Sequence, residues 1–112
     1  MTIERQNSAL TLMLQVVARL RPIVRVIEGH DRDLTRQIRR AASSVALNLA
    51  EAEGSDRGNR RARLHTALGS AREVRAGIQV AAAWGYLTEA DATDIDAALD
   101  RVAAMTWRRM RA

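Results

Sequence analysis

Residues 34–87 read LTRQIRRAASSVALNLAEAEGSDRGNRRARLHTALGSAREVRAGIQVAAAWGYL, and this stretch decides the fold. Placed at about 100° per residue, Leu34, Ile38, Ala41, Ala42, Val45 and Leu49 fall on one side of a helix spanning about 32–53. Arg36, Arg40, Ser43 and Leu47 fall on the other side, so Leu47 is an apolar residue turned away from its own core. Asn48 sits at the core's edge, where an amide satisfies a backbone group or a neighbouring helix. Gly54-Ser55-Asp56-Arg57-Gly58-Asn59 carries turn chemistry and ends the helix. A second long helix of about 59–84 follows, with Leu64, Ala67, Leu68, Ala71, Val74, Ile78 and Ala81 as its core face. Its opposite face, Ala62, Thr66, Gly69, Ala76, Val80 and Ala83, is also small or apolar and is broken only by Glu73. A helix apolar on two sides is usually buried on two sides. Gly69 and Gly77 would each weaken an isolated helix by about 1 kcal/mol relative to Ala, which makes sense where another backbone comes close.

Outward from this hairpin the same periodicity continues. Residues 7–28 predict a first helix, with Leu10, Met13, Val17, Leu20, Val24 and Ile27 at heptad-like spacing. Leu12, Leu14, Val16, Ile23 and Val26 widen that stripe beyond one neighbour. Pro22 should kink this helix or mark its last turns, and Gly29 is a plausible stop. Gly85 ends the third helix, and Thr88 with Asp91 resembles a capping box opening a fourth helix of about 89–110. Ile95, Leu99, Val102, Met105 and Met110 mark its core side. Four helices with short connections predict an all-α, antiparallel, up-down-up-down four-helix bundle in a single domain spanning 1–112.

Composition agrees and narrows the chemistry. The 112 residues are 47% hydrophobic but only 3% aromatic, with no Phe, so the core must be aliphatic and suits close helix packing. Cysteine is absent, which removes disulfides and thiolate metal sites. Neither a signal-peptide pattern nor a membrane-length apolar run is present, so the cytoplasm is the expected location. The net charge is +5, and all 18 basic residues are arginine. Residues 35–75 hold nine arginines against four acids, residues 76–100 hold five acids and no arginine, and the last twelve residues hold four arginines and no acid. Such segregation suits an anionic partner or self-association through unlike surfaces.

No catalytic constellation accompanies the scaffold. A di-iron bundle needs Glu-x-x-His pairs on two helices, whereas His30 follows Glu28 by two and His65 has no acid three positions earlier. Ser43 and Ser44 lack a base, and Gly54–Gly58 lacks the Gly-Lys-Ser/Thr ending of a phosphate loop. Neither an enzyme, a metal, a cofactor nor a small-molecule substrate is expected. The arginine surface is the remaining candidate: Arg36, Arg39 and Arg40 on helix two, and Arg57, Arg60, Arg61 and Arg63 at the turn and start of helix three. These seven could hold nucleic-acid phosphates by backbone and shape, since no aromatics interleave for base stacking. A solvated face paired to Glu51, Glu53 and Asp56 explains them equally well. Trp107-Arg108-Arg109-Met110-Arg111 forms a second basic patch, whose Trp107 contacts another subunit or a nucleic acid, or lies flat on its own bundle.

LTRQIRRAASSVALNLAE, LHTALGSAREV and WGYL together resemble the "four helix bundle protein" family. That family includes proteins encoded within 23S rRNA intervening sequences and accessory proteins of diversity-generating retroelements. Leu34-Thr35, Gln37-Ile38-Arg39-Arg40-Ala41 looks like the family's helix-two opening, Asn48-Leu49-Ala50-Glu51 like its Asn-Ile-Ala-Glu signature, and Ala67-Leu68-Gly69-Ser70-Ala71 with Glu73 like its helix-three signature. The family usually places Gly directly after the signature Glu; Ala52 stands there instead, so helix two is expected to run longer. The resemblance implies a homo-oligomer, most simply a homopentameric ring, with RNA or a reverse transcriptase as partner through basic surfaces. Leu47, Ala62, Thr66, Gly69, Ala76, Val80, Ala83 and Trp107 are the expected oligomer contacts. Two functions remain open: an oligomeric scaffold that binds structured RNA, and a protein-interaction module with no nucleic-acid role.

Overall fold

The computed structural model describes residues 8–112, which form four helices: α1 (Ala9–Glu28), α2 (Arg32–Glu53), α3 (Arg57–Ala83) and α4 (Glu89–Arg111). Each helix opens on a short polar residue whose side-chain oxygen accepts from a backbone amide three positions on. Ser8 accepts from Thr11, Asp31 from Leu34, Asp56 from Asn59 and Thr88 from Asp91. Each contact satisfies one of the amides that the first helical turn leaves without an intrahelical partner.

The short connections force consecutive helices to run antiparallel. α1 packs on α2, α2 on α3, α3 on α4, and α4 back on α1, whereas the diagonal pairs barely touch. The result is a square four-helix bundle about 42 × 25 × 20 Å. One end carries the α1–α2 and α3–α4 connections, and the other carries the α2–α3 turn together with the end of α4.

The core faces read from periodicity for α2 and α3 are all buried, with Thr35 and Ala52 added on α2. α4 buries Ile95, Ala98, Leu99, Val102 and Thr106, and the Thr106 hydroxyl donates to the Val102 carbonyl at 2.8 Å. α1 is rotated slightly from expectation. Ala9 and Val16 are buried, while Leu10 and Val17 are only half-buried. A helix apolar nearly all round leaves its register to its two neighbours rather than to its own stripe. α1 also continues six residues past Pro22 to Glu28. The missing proline N–H leaves the Ala18 carbonyl without its usual helical donor, and Ala18 is exposed, so the carbonyl lies on the solvent side of the helix.

Boundaries shift by a residue or two, with α3 ending at Ala83 rather than 84 and α4 at Arg111 rather than 110. The first helix is described from Ala9, so residue 7 lies outside the described residues. α3 starts at Arg57 rather than at 59, because Asp56 caps it and draws Arg57, Gly58 and Asn59 into the first turn. The loop therefore contracts to Gly54, Ser55 and Asp56. α2 extends to Glu53 with Ala52 fully buried.

Two glycines have structural reasons. Gly85 adopts φ 79°, and the Tyr86 amide donates to the Ala81 carbonyl while the Gly85 amide donates to Ala82, closing α3 with a left-handed cap. A Cβ at Gly77 would sit 2.7 Å from Ile38 Cγ1, so this glycine admits the α2 side chain of its own chain rather than a foreign backbone. Gly69, in contrast, has open space where its Cβ would stand.

Candidate nucleic-acid interface

The start of α3 and the end of α4 meet at one end of the bundle because the two helices are antiparallel. There Arg57, Arg60 and Arg61 come together with Arg109 and Arg111 around a cleft of about 450 Å3, with Leu64 and Met110 at its base. None of these five arginines forms an ion pair among the described residues. Arg111 lies over the Trp107 ring at 5.5 Å, a cation–π contact that ties the tryptophan to the cleft.

Helix electrostatics account for only half of this cluster. Arg108, Arg109 and Arg111 stand in the last turn of α4, where cations are favoured by the helix dipole. Arg57 and Arg60 stand at the start of α3, where they are disfavoured, and that first turn contains no acid. The neighbouring Asp56 is committed to capping. It accepts from the Asn59 backbone at 2.9 Å and from the Asn59 side-chain amide at 3.0 Å. The Asn59 backbone bond foremost, then its side-chain bond, holds the Asp56 pKa below the ordinary carboxylate range. A carboxyl with a lowered folded-state pKa stabilises the fold above its unfolded pKa and loses that contribution as pH falls through the folded value. Acidification below the usual carboxylate range should therefore lower amide-exchange protection, relative to the intrinsic rate at each pH, in the first turn of α3 more than in the α1 start, whose cap is Ser8. Equal loss of protection at both ends would refute this.

The seven arginines expected to act together are split. Arg36, Arg39 and Arg40 lie near the opposite end of α2, about 20 Å along the helix from its junction with α3 at 1.5 Å per residue. Arg36 pairs with Asp33, and Arg63 pairs with Glu51 at 3.0 Å. Arg39 instead lines a groove between α1 and α2 with Arg21 and Arg25. The patch at 108–111, which the linear chain separates from Arg57 by fifty residues, is the one that joins it.

The α3 face expected to be covered is open in the single chain. Ala62, Thr66, Gly69, Ala76, Val80 and Ala83 are exposed, as are Leu47 at 64% and Trp107 at 46%. A small polar seam borders this face: Ser44 and Ser70 hydroxyls meet at 2.8 Å, and the Asn48 amide donates to the Ser44 carbonyl at 2.9 Å. Across the bundle, Arg75 clamps α3 to α4 with a two-pronged contact to Asp96 at 2.8 and 3.1 Å and a third bond to Asp100 at 3.1 Å. The Asp96 hydrogen bond is the main reason its guanidinium pKa is raised. At the connection end, His30 stacks on Tyr86 at 4.8 Å and Tyr86 on Trp84 at 6.3 Å. Sequence reading missed Arg75 and this ring ladder. An arginine at the α3 core edge with acids four apart on α4 was the available signal for the clamp, whereas the ladder joins two connections and leaves no local trace.

Among the described residues, no group of three or more His, Cys, Asp or Glu could hold a metal ion, and no helix is long and apolar enough to cross a membrane.

The architecture places the chain among antiparallel four-helix bundles with a basic cleft at one end. The family model described as 23S rRNA-intervening sequence protein matches residues 7–108, and the chain belongs to that family. A solved structure from Bacteroides thetaiotaomicron, a protein of unknown function from the S23 ribosomal protein family, superposes with a TM-score of 0.86. It is 18% identical, and the match covers 93% of this chain and 99% of that one, so what the two share is the fold. Comparison with curated proteins finds no match.

Proposed function

We propose that this protein is a non-enzymatic, self-associating scaffold that binds structured RNA in the cytoplasm through the cleft at the α3–α4 end. The observation that carries the reading is the convergence of Arg57, Arg60, Arg61, Arg109 and Arg111 without acidic partners among the described residues. Unpaired arginines that oppose a helix dipole cost stability, and a polyanion in the cleft offsets that cost. The two-sided apolar character of α3, with Leu47 and Val80 exposed, supports self-association.

The exposed α3 face also favours a second reading, a protein-interaction module whose arginines serve only solubility. Titration of the assembled protein with a structured RNA hairpin at several salt concentrations separates them. Phosphate binding makes log affinity fall linearly with log salt, by about 0.7–0.9 per neutralised phosphate. Absence of binding at low salt, or binding indifferent to salt, removes the RNA role and leaves the interaction module.

A further inference from the structure

The groove between α1 and α2 encloses about 240 Å3, with Val17, Leu20 and Ile38 in its floor and Arg21, Arg25 and Arg39 on its rim. Its volume exceeds the roughly 150 Å3 of an engineered apolar cavity that holds benzene, so it has room for an apolar side chain. None of the three arginines has an ion pair among the described residues. Arg21 and Arg25 are one turn apart on the same helix, a spacing at which like charges repel. An arginine rim over an apolar floor matches a surface that is itself apolar and carries carboxylates. A phosphate backbone uses the rim but leaves the floor uncovered.

This chain presents the complementary surface on the opposite side of its square. The outer face of α3 is mostly apolar or small; Glu73 stands exposed in its middle without an ion pair among the described residues, and the exposed His65 and Arg72 lie along one edge of it. At the end of that face Ala83 shares a second groove with Glu89, which is also exposed and unpaired among the described residues. The α1–α2 groove and this end of the α3 face lie towards the same end of the bundle. Glu89 is favoured by the α4 dipole, but Glu73 lies mid-helix and has no such reason.

We infer that the α1–α2 groove of one copy receives the outer face of α3 from a second copy, with Arg21, Arg25 and Arg39 meeting Glu73 and Glu89. This rests on the self-association reading above and supplies the unlike surface that the α3 face requires. Two different patches meeting head to tail generate a ring when the rotation closes and a filament when it does not.

Charge reversal tests it on the whole chain, with mass followed by light scattering across micromolar concentrations and folding followed by circular dichroism. Arg21→Glu/Arg25→Glu/Arg39→Glu and Glu73→Arg/Glu89→Arg are each expected to raise the self-association constant for dissociation at least tenfold while the helices stay folded. All five reversals in one chain should restore assembly. If the wild type is strictly monomeric, self-association and this contact both fall. If the wild type assembles and neither reversal changes its mass, this contact falls while self-association stands. If the triple variant keeps its mass but loses affinity for an RNA hairpin, the groove belongs to RNA and the inference is overturned.

Discussion

Arg57→Gln/Arg60→Gln/Arg61→Gln is expected to weaken binding of structured RNA on the order of 100-fold at 0.15 M salt, and to lower the salt slope by about 2 to 3. Both figures follow from removing three phosphate contacts, each of which contributes about 0.7–0.9 to the slope. Glutamine keeps helix propensity and much of the side-chain length, so α3 should stay formed. Its removal of charge from the start of α3 should even relieve the unfavourable dipole interaction. The control is Arg36→Gln/Arg40→Gln, which changes charge about 20 Å away along α2 and should reduce affinity far less for each charge removed. Equal losses per charge from both sets would mean diffuse attraction to net charge, and the cleft would lose its special standing. Disassembly of the triple variant would favour the protein-interaction reading.

The second large effect lies between α2 and α3, the most extensively packed pair. Ile38 is 1% exposed, so Ile38→Ala should cost about 2–5 kcal/mol through lost burial and an incompletely filled space. Gly77→Ala gains about 1 kcal/mol of helix propensity but places a Cβ 2.7 Å from Ile38 Cγ1 and 3.2 Å from Cδ1. Overpacking of this kind costs about 1–3 kcal/mol, so the single variant should be destabilised on balance. In the Ile38→Ala background both crowding atoms are gone, and only Leu34 Cδ1 remains at an ordinary 3.9 Å. The same Gly77→Ala change should then stabilise. Urea unfolding of the two single variants and the double should therefore show a coupling of about 1–3 kcal/mol. Additive effects would show that Ile38 and Gly77 do not constrain each other.

The bundle was legible because each core face repeats with a helical period and because glycines and the Thr88 cap mark the helix ends; the caps at Ser8, Asp31 and Asp56 were not read. Leu34, Ile38, Val45 and Leu49, and likewise Leu64, Ala71, Val74 and Ile78, could hardly be read on any other face. α1 was less legible, since Leu10, Leu12, Val16 and Val17 leave several registers available and its neighbours choose one. At the candidate site the residues were legible, but their grouping was not. Proximity along the chain placed Arg36, Arg39 and Arg40 with Arg57, whereas the length of α2 separates them and antiparallel packing brings in Arg109 and Arg111. Gly77 was recognised as a close approach, but its neighbour is a side chain within the bundle. That distinction depends on the distance between two helices, which no single-helix pattern contains.

The placement of the two tryptophans has a practical consequence for spectroscopy. Trp84 is 69% exposed beside Tyr86, and Trp107 is 46% exposed beside Arg111, so neither indole is buried. Eighteen residues of α4 separate their ends of the bundle, about 27 Å at 1.5 Å per residue. With no indole in the core, emission should change little in wavelength when the protein unfolds, and a fluorescence melt would understate the transition. The same arrangement makes two independent optical reporters. Trp107 adjoins the arginine cleft and should be quenched by an RNA seated there, whereas Trp84 continues the α3 face and should respond to a second copy. Single-tryptophan variants, Trp84→Phe and Trp107→Phe, would let RNA capture and subunit contact be timed separately in parallel samples.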